Sequence, residues 1–314
     1  MSAAGQPTEL RHVALGVLVF LLPFEFTRVV TDYPGEAGGF SRLVTVGLFD
    51  LALVAFVALA LVSLGSRWNR GIGWGTWLAI GLLIVAVASL PFHGSSRGVA
   101  LALRLVGTVL VAFEIGTLRR RELLHVVIVP LLAAAATQGV MALGQAIGGG
   151  ALGIPGEPAD FGAVAGTVRP AGTTSHPYML ATYCLIAVSG GMLIWRQSTA
   201  RWWLVPVALA AMPIGLSFSR AAVVSVLFAG AGWVIAVVRN PRTYGPPLAA
   251  VLLGIAIPAL LFAPAWLERL EDSTTGSLND ASANRVELTN QAMDMIADYP
   301  LVGVGPWRYT IVAE

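Results

Sequence analysis

Arginine stands beside turn-forming or helix-starting residues in three separate segments of the chain. The segments cover residues 169–177, 217–220 and 284–306, and their arginines are Arg169, Arg220 and Arg285. A guanidinium group suits phosphate because its N–H donors can bind two oxygens at once. Three such groups converging on one cavity would suit the head group of a lipid diphosphate. Taken singly, each arginine has a simpler interpretation, as a side chain that reaches from a helix end to the membrane interface.

Two glycines and one histidine complete this set of candidate substrate-binding residues. Gly303 and Gly305 would let the backbone approach a ligand, or would merely form a turn. His176 follows Arg169 by seven residues and is interpreted either as a base or as the boundary residue of the next helix. We predict no metal site and no cofactor.

Charged residues inside apolar segments form a second candidate group, because a charge within a membrane is costly and often functional. Glu25, Asp50 and Arg104 are predicted at a similar depth, roughly 10 Å inside the bilayer, from the helical rise per residue. We expect Arg104 to pair with Asp50 or with Glu25. Such a pair either locks the helices together or forms the floor of a polar, substrate-binding cavity. Glu114 is expected near Arg119 or Arg121.

The composition indicates a protein that spans a membrane. Of the 314 residues, 56% are hydrophobic and only 11% are charged, against about 25% charged in a typical soluble domain. The mean hydropathy is +0.77. These values exclude a typical cytosolic enzyme and a disordered chain. The net charge of +2 argues against a nucleic-acid-binding protein, and one cysteine cannot form an internal disulfide.

The apolar runs predict an all-α bundle of about nine transmembrane helices over residues 1–264, followed by a polar tail over 265–314. The predicted spans are 12–31, 43–64, 72–91, 98–117, 123–147, 177–195, 202–219, 221–238 and 246–264. A long Gly/Pro-rich loop, residues 148–176, separates the fifth span from the sixth. Within the tail, Asn284 and Glu287 resemble a capping pair for an amphipathic helix over 284–298, which Pro300 would end.

The arginines predict the orientation of these spans, since positive residues concentrate on the cytoplasmic side. With the N-terminus inside, the inner segments hold ten arginines against two acidic residues, Glu9 and Glu122. The inner arginines are Arg11, Arg67, Arg70, Arg119, Arg120, Arg121, Arg196, Arg201, Arg239 and Arg242. The loop 148–176 and the C-terminal tail are therefore expected on the extracytoplasmic side.

Taken together, these segments resemble the O-antigen ligase and O-antigen polymerase superfamily, which includes related bacterial protein oligosaccharyltransferases. The motifs that carry the resemblance are FLLPFEFTR, RPAGTTSHPYMLATY, LSFSRAAVVSVL and NRVELTNQAMDMIADYPLVGVGPWRY. The last is the most specific, because the family shows an arginine-led helix followed by a D-Y-P-L-x-G-x-G turn.

The resemblance implies a glycosyltransferase of the bacterial inner membrane that needs no metal. It would move a glycan from an undecaprenyl-diphosphate carrier to a hydroxyl of a lipid, polysaccharide or protein on the outer side. Arg169 and Arg220 would hold the diphosphate and stabilise leaving-group charge, and Arg285 would assist them.

One departure from the family concerns the general base. Family members continue past the G-x-G turn to a histidine that is the proposed base, whereas this sequence ends at Glu314, so we expect an incomplete copy. Two other interpretations stay open: a transporter or flippase for a lipid-linked sugar or small anion, and a non-catalytic membrane subunit.

Overall fold

A computed structural model describes residues 6–24, 27–32, 43–64, 74–93, 96–158, 163–164, 166–174, 176–198, 200–274 and 277–300. Most of these residues are helical. The elements in chain order are α1 (Gln6–Leu21), β1 (Thr27–Asp32), β2 (Leu43–Gly47), α2 (Leu48–Leu64), α3 (Trp74–His93), α4 (Ser96–Thr117), α5 (Arg120–Leu123), a π-helical turn (Leu124–Ile128), α6 (Val129–Gly148), β3 (Ala163–Val164), β4 (Thr167–Val168), α7 (Pro177–Gln197), a 3-10 turn (Arg201–Trp203), α8 (Leu204–Leu216), α9 (Arg220–Arg239), α10 (Pro241–Leu261), α11 (Ala263–Thr274) and α12 (Ser277–Asp298).

Four helices are long and apolar enough to cross a membrane: Arg120–Gly148, Pro177–Gln197, Arg220–Arg239 and Pro241–Leu261. Two shorter apolar helices, Leu48–Leu61 and Arg201–Leu216, accompany them in the described part of the chain. The membrane character of the chain is therefore confirmed, while the count of nine spans and their orientation stay predictions.

The chain divides into two compact units. Unit 1 comprises residues 1–14, 27–119 and 274–314, and unit 2 comprises 15–26 and 120–273.

The structure differs from the sequence prediction at the first two spans. Helix α1 ends at Leu21 instead of continuing to residue 31, and β1 pairs with β2 as an antiparallel hairpin, with Thr27 opposite Gly47. β-Branched residues dominate both strands, and these side chains favour a pleated strand over a helix. An apolar run alone does not distinguish the two structures, which explains the error.

Unit 2 contains α6, α7, α8 and α10. Helix α8 packs against both α6 and α10. Glycines allow the helices to approach closely, as is common in membrane bundles. A β-carbon on Gly139 of α6 would overlap the carbonyl oxygen of Leu209 in α8, and one on Gly254 of α10 would overlap that of Ala208. Helix α9 is far less buried and exposes Leu227 and Phe228, as a lipid-facing helix does.

The tail forms a longer helix than the sequence predicts. Helix α12 begins at Ser277, so Asn284 lies inside it and the predicted capping pair with Glu287 is wrong. The helix ends at Asp298, just before Pro300, as predicted. Val286 and Ile296 are exposed. The side chain of Arg285, together with Gly303 and Gly305, lies outside the described residues.

Candidate functional site

The end of the long loop, residues 171–174, is held in place by two glutamines of α6. Gln145 accepts a hydrogen bond from the Gly172 N–H at 2.9 Å and donates one to the Gly172 carbonyl at 2.8 Å. Gln138 accepts one from the Thr173 N–H at 3.0 Å and donates to the Thr173 hydroxyl. Both glutamines are 0% exposed, so these contacts form away from solvent. We call the pair the glutamine clamp.

Gly172 is the residue that this arrangement requires at its position. Its φ of +60° lies in the left-handed region, which a side chain disfavours. A β-carbon there would also overlap Oε1 of Gln138. The Thr173 hydroxyl and the Gln138 amide both donate to the carbonyl oxygen of Pro23, which follows α1. The clamp therefore joins three segments of unit 2.

His176 lies where the loop enters α7. It precedes Pro177, which occupies the first helical turn, and its carbonyl oxygen accepts hydrogen bonds from the backbone of Met179 and Leu180. The imidazole is exposed, with its ring centroid 5.0 Å from that of Tyr178. The structure thus places His176 as the boundary residue of the helix, one of the two interpretations from the sequence.

The structure brings Arg169 to the turn that carries Arg220. The Nε and Nη2 atoms of Arg169 each donate to the carbonyl oxygen of Ser217, both at 3.4 Å. Ser217 opens the three-residue turn between α8 and α9, and Arg220 is the first residue of α9. The side chain of Arg169 therefore contacts the turn that leads into Arg220, although the two residues are far apart in the sequence.

The N-terminus of α9 adds positive potential at the same place. The Ser219 hydroxyl accepts a hydrogen bond from the Ala222 N–H at 3.3 Å and so caps the helix. The helix macrodipole places a partial positive charge at this end. Among the described residues, no carboxylate pairs with the Arg220 side chain. The helix N-terminus and the arginines at this turn are thus groups of the kind that bind an anion.

Phe218, in the middle of the turn, has an unusual backbone. Its φ is 47°, although it is not glycine, and its side chain is 0% exposed. A left-handed conformation costs a residue with a side chain about 1–2 kcal/mol. Packing offsets this cost, since the ring lies 5.4 Å from that of Trp266 in α11. The Trp266 indole in turn donates to the Gly215 carbonyl at 2.8 Å.

Glu157 extends the hydrogen-bond network into the first part of the loop. Its carboxylate accepts hydrogen bonds from Gln145, from the Leu152 N–H and from the Ile154 N–H, at 2.8, 2.9 and 2.8 Å. Partial burial raises the pKa of this carboxyl, but these donors outweigh it and lower the pKa below its usual value of 4.5.

The loop should accordingly loosen in acid. A carboxyl whose pKa is lower in the folded than in the unfolded state stabilises the folded state at any pH above its unfolded-state pKa. This stabilisation is lost as the pH falls through the folded-state pKa. We expect hydrogen-exchange protection at the Leu152 and Ile154 amides to fall below about pH 4.5. Glu157→Gln should lower this protection at neutral pH and remove its pH dependence. Protection of these two amides that does not change with pH in the wild-type chain would contradict the role of the carboxylate. The Ser198 amide, which is bonded to Ile194 O at the end of α7, serves as the control.

A family comparison covers the C-terminal part of the chain. Residues 205–314 match the O-antigen ligase family model. The match confirms the resemblance and supports a membrane glycosyltransferase-like function in general. No curated protein matches the chain, and no solved structure does.

The O-antigen ligase match includes the turn and Arg220 but begins after Arg169 and His176. The contact between Arg169 and Ser217 O therefore extends the candidate site beyond the matched residues.

Arg104, also predicted to bind substrate, lies in unit 1 and pairs with Asp50. Its Nε and Nη2 donate to the two carboxylate oxygens at 2.8 and 2.9 Å. This bidentate geometry confirms one of the two predicted partners; the other, Glu25, lies outside the described residues. The pair is common to both interpretations, a lock between helices and the floor of a polar cavity, so substrate binding by Arg104 stays a prediction.

Glu114 has a partner that the sequence analysis missed. Arg11 Nε lies 2.9 Å from Glu114 Oε1, and both residues are buried, at 1% and 3% exposure. From the sequence, Arg11 is predicted only as one of the cytoplasmic arginines that indicate orientation.

The glutamine clamp was also missed, although the sequence carried a signal. Gln138 and Gln145 are seven residues apart, so they share one face of an otherwise apolar helix. Among the described residues, no cluster of three or more His, Cys, Asp or Glu side chains could hold a metal. Cys184, in α7, is buried and free.

Proposed function

We propose that the chain is a membrane glycosyltransferase of the O-antigen ligase type. In this proposal Arg169 and Arg220 bind the diphosphate of an undecaprenyl-diphosphate-linked glycan. The single observation that carries the proposal is the convergence of both arginines on the Ser217–Arg220 turn.

The reaction is a displacement at the anomeric carbon of the glycan. A hydroxyl of the acceptor forms a bond to that carbon, the bond between the carbon and the diphosphate oxygen breaks, and the electron pair stays on the diphosphate. The hydroxyl proton passes to a base, a task that permanently charged guanidinium groups cannot perform. The arginines and the N-terminus of α9 stabilise the charge that grows on the leaving group.

The site would face the extracytoplasmic side. Arg201 lies just before α8 and Arg239 ends α9, so both lie at the helix ends opposite the Ser217–Arg220 turn. Arg196 and Arg242 are close to them in sequence, at the neighbouring ends of α7 and α10. The positive-inside rule assigns those ends to the cytoplasm and supports an outward-facing turn.

The test is binding of undecaprenyl diphosphate to the full chain in lipid nanodiscs. Arg220→Gln should weaken binding roughly ten- to hundredfold, because a hydrogen bond to a charged group contributes about 1.5–3 kcal/mol. Arg239→Gln is the matched control, since it removes the same charge at the other end of the same helix, about 30 Å away. Equal affinities for Arg220→Gln and the wild-type chain would overturn the proposal.

A further inference from the structure

We propose that Gln138 and Gln145 are positioning residues for Arg169. The clamp fixes the loop backbone so that the guanidinium stays at the Ser217 carbonyl beside Arg220. This inference rests on the proposed function, which gives the arginine its role.

The clamp contacts the backbone only three residues after Arg169. Pro170 and Ala171, which lie between Arg169 and Gly172, are buried, and the proline ring fixes φ at its own position. The link between clamp and arginine is therefore short and stiff. A shift of the Gly172 peptide group would move the arginine away from the turn.

Only an uncharged amide meets the hydrogen-bonding demands of these two positions. Each side chain must accept from one backbone N–H and also donate twice. Gln145 donates to Gly172 O and to Glu157, and Gln138 donates to Thr173 Oγ1 and to Pro23 O. An amide offers two N–H donors and an acceptor, whereas a methionine of similar length offers neither donor.

Packing of the helices alone does not account for the two glutamines. Burying an unpaired amide is unfavourable, and an apolar side chain would fill the same space between α6 and its neighbours. What the amides add is a fixed loop conformation, because Gln145 binds the Gly172 backbone at two points and Gln138 binds both the N–H and the hydroxyl of Thr173. A fixed conformation matters most where a charged group must stay in one place.

A double-mutant cycle tests the proposal, with undecaprenyl diphosphate as the probe and the full chain in nanodiscs. Gln145→Met should weaken binding about tenfold in the wild-type background, and Gln138→Met should act similarly. In the Arg169→Ala background, neither change should weaken binding further, since no arginine remains to be positioned. Gln138→Met carries the test in both backgrounds if Gln145→Met does not fold.

Thr137→Val is the control, because Thr137 lies next to Gln138 on α6 and is exposed. Within the part of the chain that the structure describes, its hydroxyl bonds its own helix at Ala133. It should bind like the wild-type chain. Equal weakening by Gln145→Met in both backgrounds would indicate a general structural defect. It would overturn the positioning role of the glutamine clamp but would leave the proposed function standing. A wild-type chain that does not bind, or that binds as well without Arg169, would overturn the proposed function and the clamp with it.

Discussion

Replacing Arg169 with alanine is expected to slow glycan transfer about a hundredfold or more. Removing one donor that stabilises developing charge has this effect in other enzymes. Arg169→Lys should recover only part of the rate, because an ammonium lacks the fork through which Nε and Nη2 both reach Ser217 O. The measurement is the rate at which membranes containing each variant release glycan from an undecaprenyl-diphosphate-linked donor.

This prediction probes a residue outside the O-antigen ligase match, so it tests whether the site extends beyond residues 205–314. Arg239→Ala serves as the control for the loss of one charge. A wild-type rate in Arg169→Ala would remove this arginine from the site. A chain that binds the donor but never transfers glycan would contradict an enzyme and favour a transporter or a non-catalytic subunit.

Breaking the buried ion pair of unit 1 should strongly destabilise the chain. Glu114→Gln is expected to cost about 3–5 kcal/mol, because it leaves the charge of Arg11 buried without its carboxylate. The double variant Arg11→Met with Glu114→Met should regain most of this loss, since buried pairs are often replaced by apolar side chains without penalty. Unfolding midpoints of the variants in detergent provide the measurement.

Arg104→Met offers a matched comparison, because its pair with Asp50 is far more exposed, at 43% and 16% of the two side chains. A pair open to water contributes about 0–1 kcal/mol, so this variant should unfold near the wild-type midpoint when the exposed side of the pair faces water. Similar losses for Glu114→Gln and Arg104→Met would show that burial does not set the strength of these pairs.

Much of the helical framework could be predicted from the sequence, because apolar runs and the Gly, Pro and capping residues that end them are local signals. Span 177–195 corresponds to α7, and span 221–238 corresponds to α9, which starts after the Ser219 cap. The first span was predicted too long because the valines of β1 extend the apolar run of α1 in the sequence. β-Branched residues favour a strand, however, and the structure forms β1 there.

The site was only partly predictable, since its contacts join distant segments. Arg169 and Arg220 are predictable from their chemistry. The sequence around them does not indicate that Arg169 donates to the carbonyl oxygen of Ser217, three residues before Arg220. The spacing of Gln138 and Gln145 is a signal in the sequence, but it does not identify their partners. Two of these partners are the backbone N–H groups of Gly172 and Thr173, which almost every residue type has. Composition likewise could not reveal the backbone of Phe218.

The lone thiol of the chain has a practical consequence. Cys184 is the only cysteine and is 0% exposed within α7, so maleimide reagents in water should leave the native chain unlabelled. Any labelling of a variant with a cysteine introduced at a helix end would then come from the introduced cysteine. The sidedness of the membrane bundle can therefore be mapped without first building a cysteine-free variant.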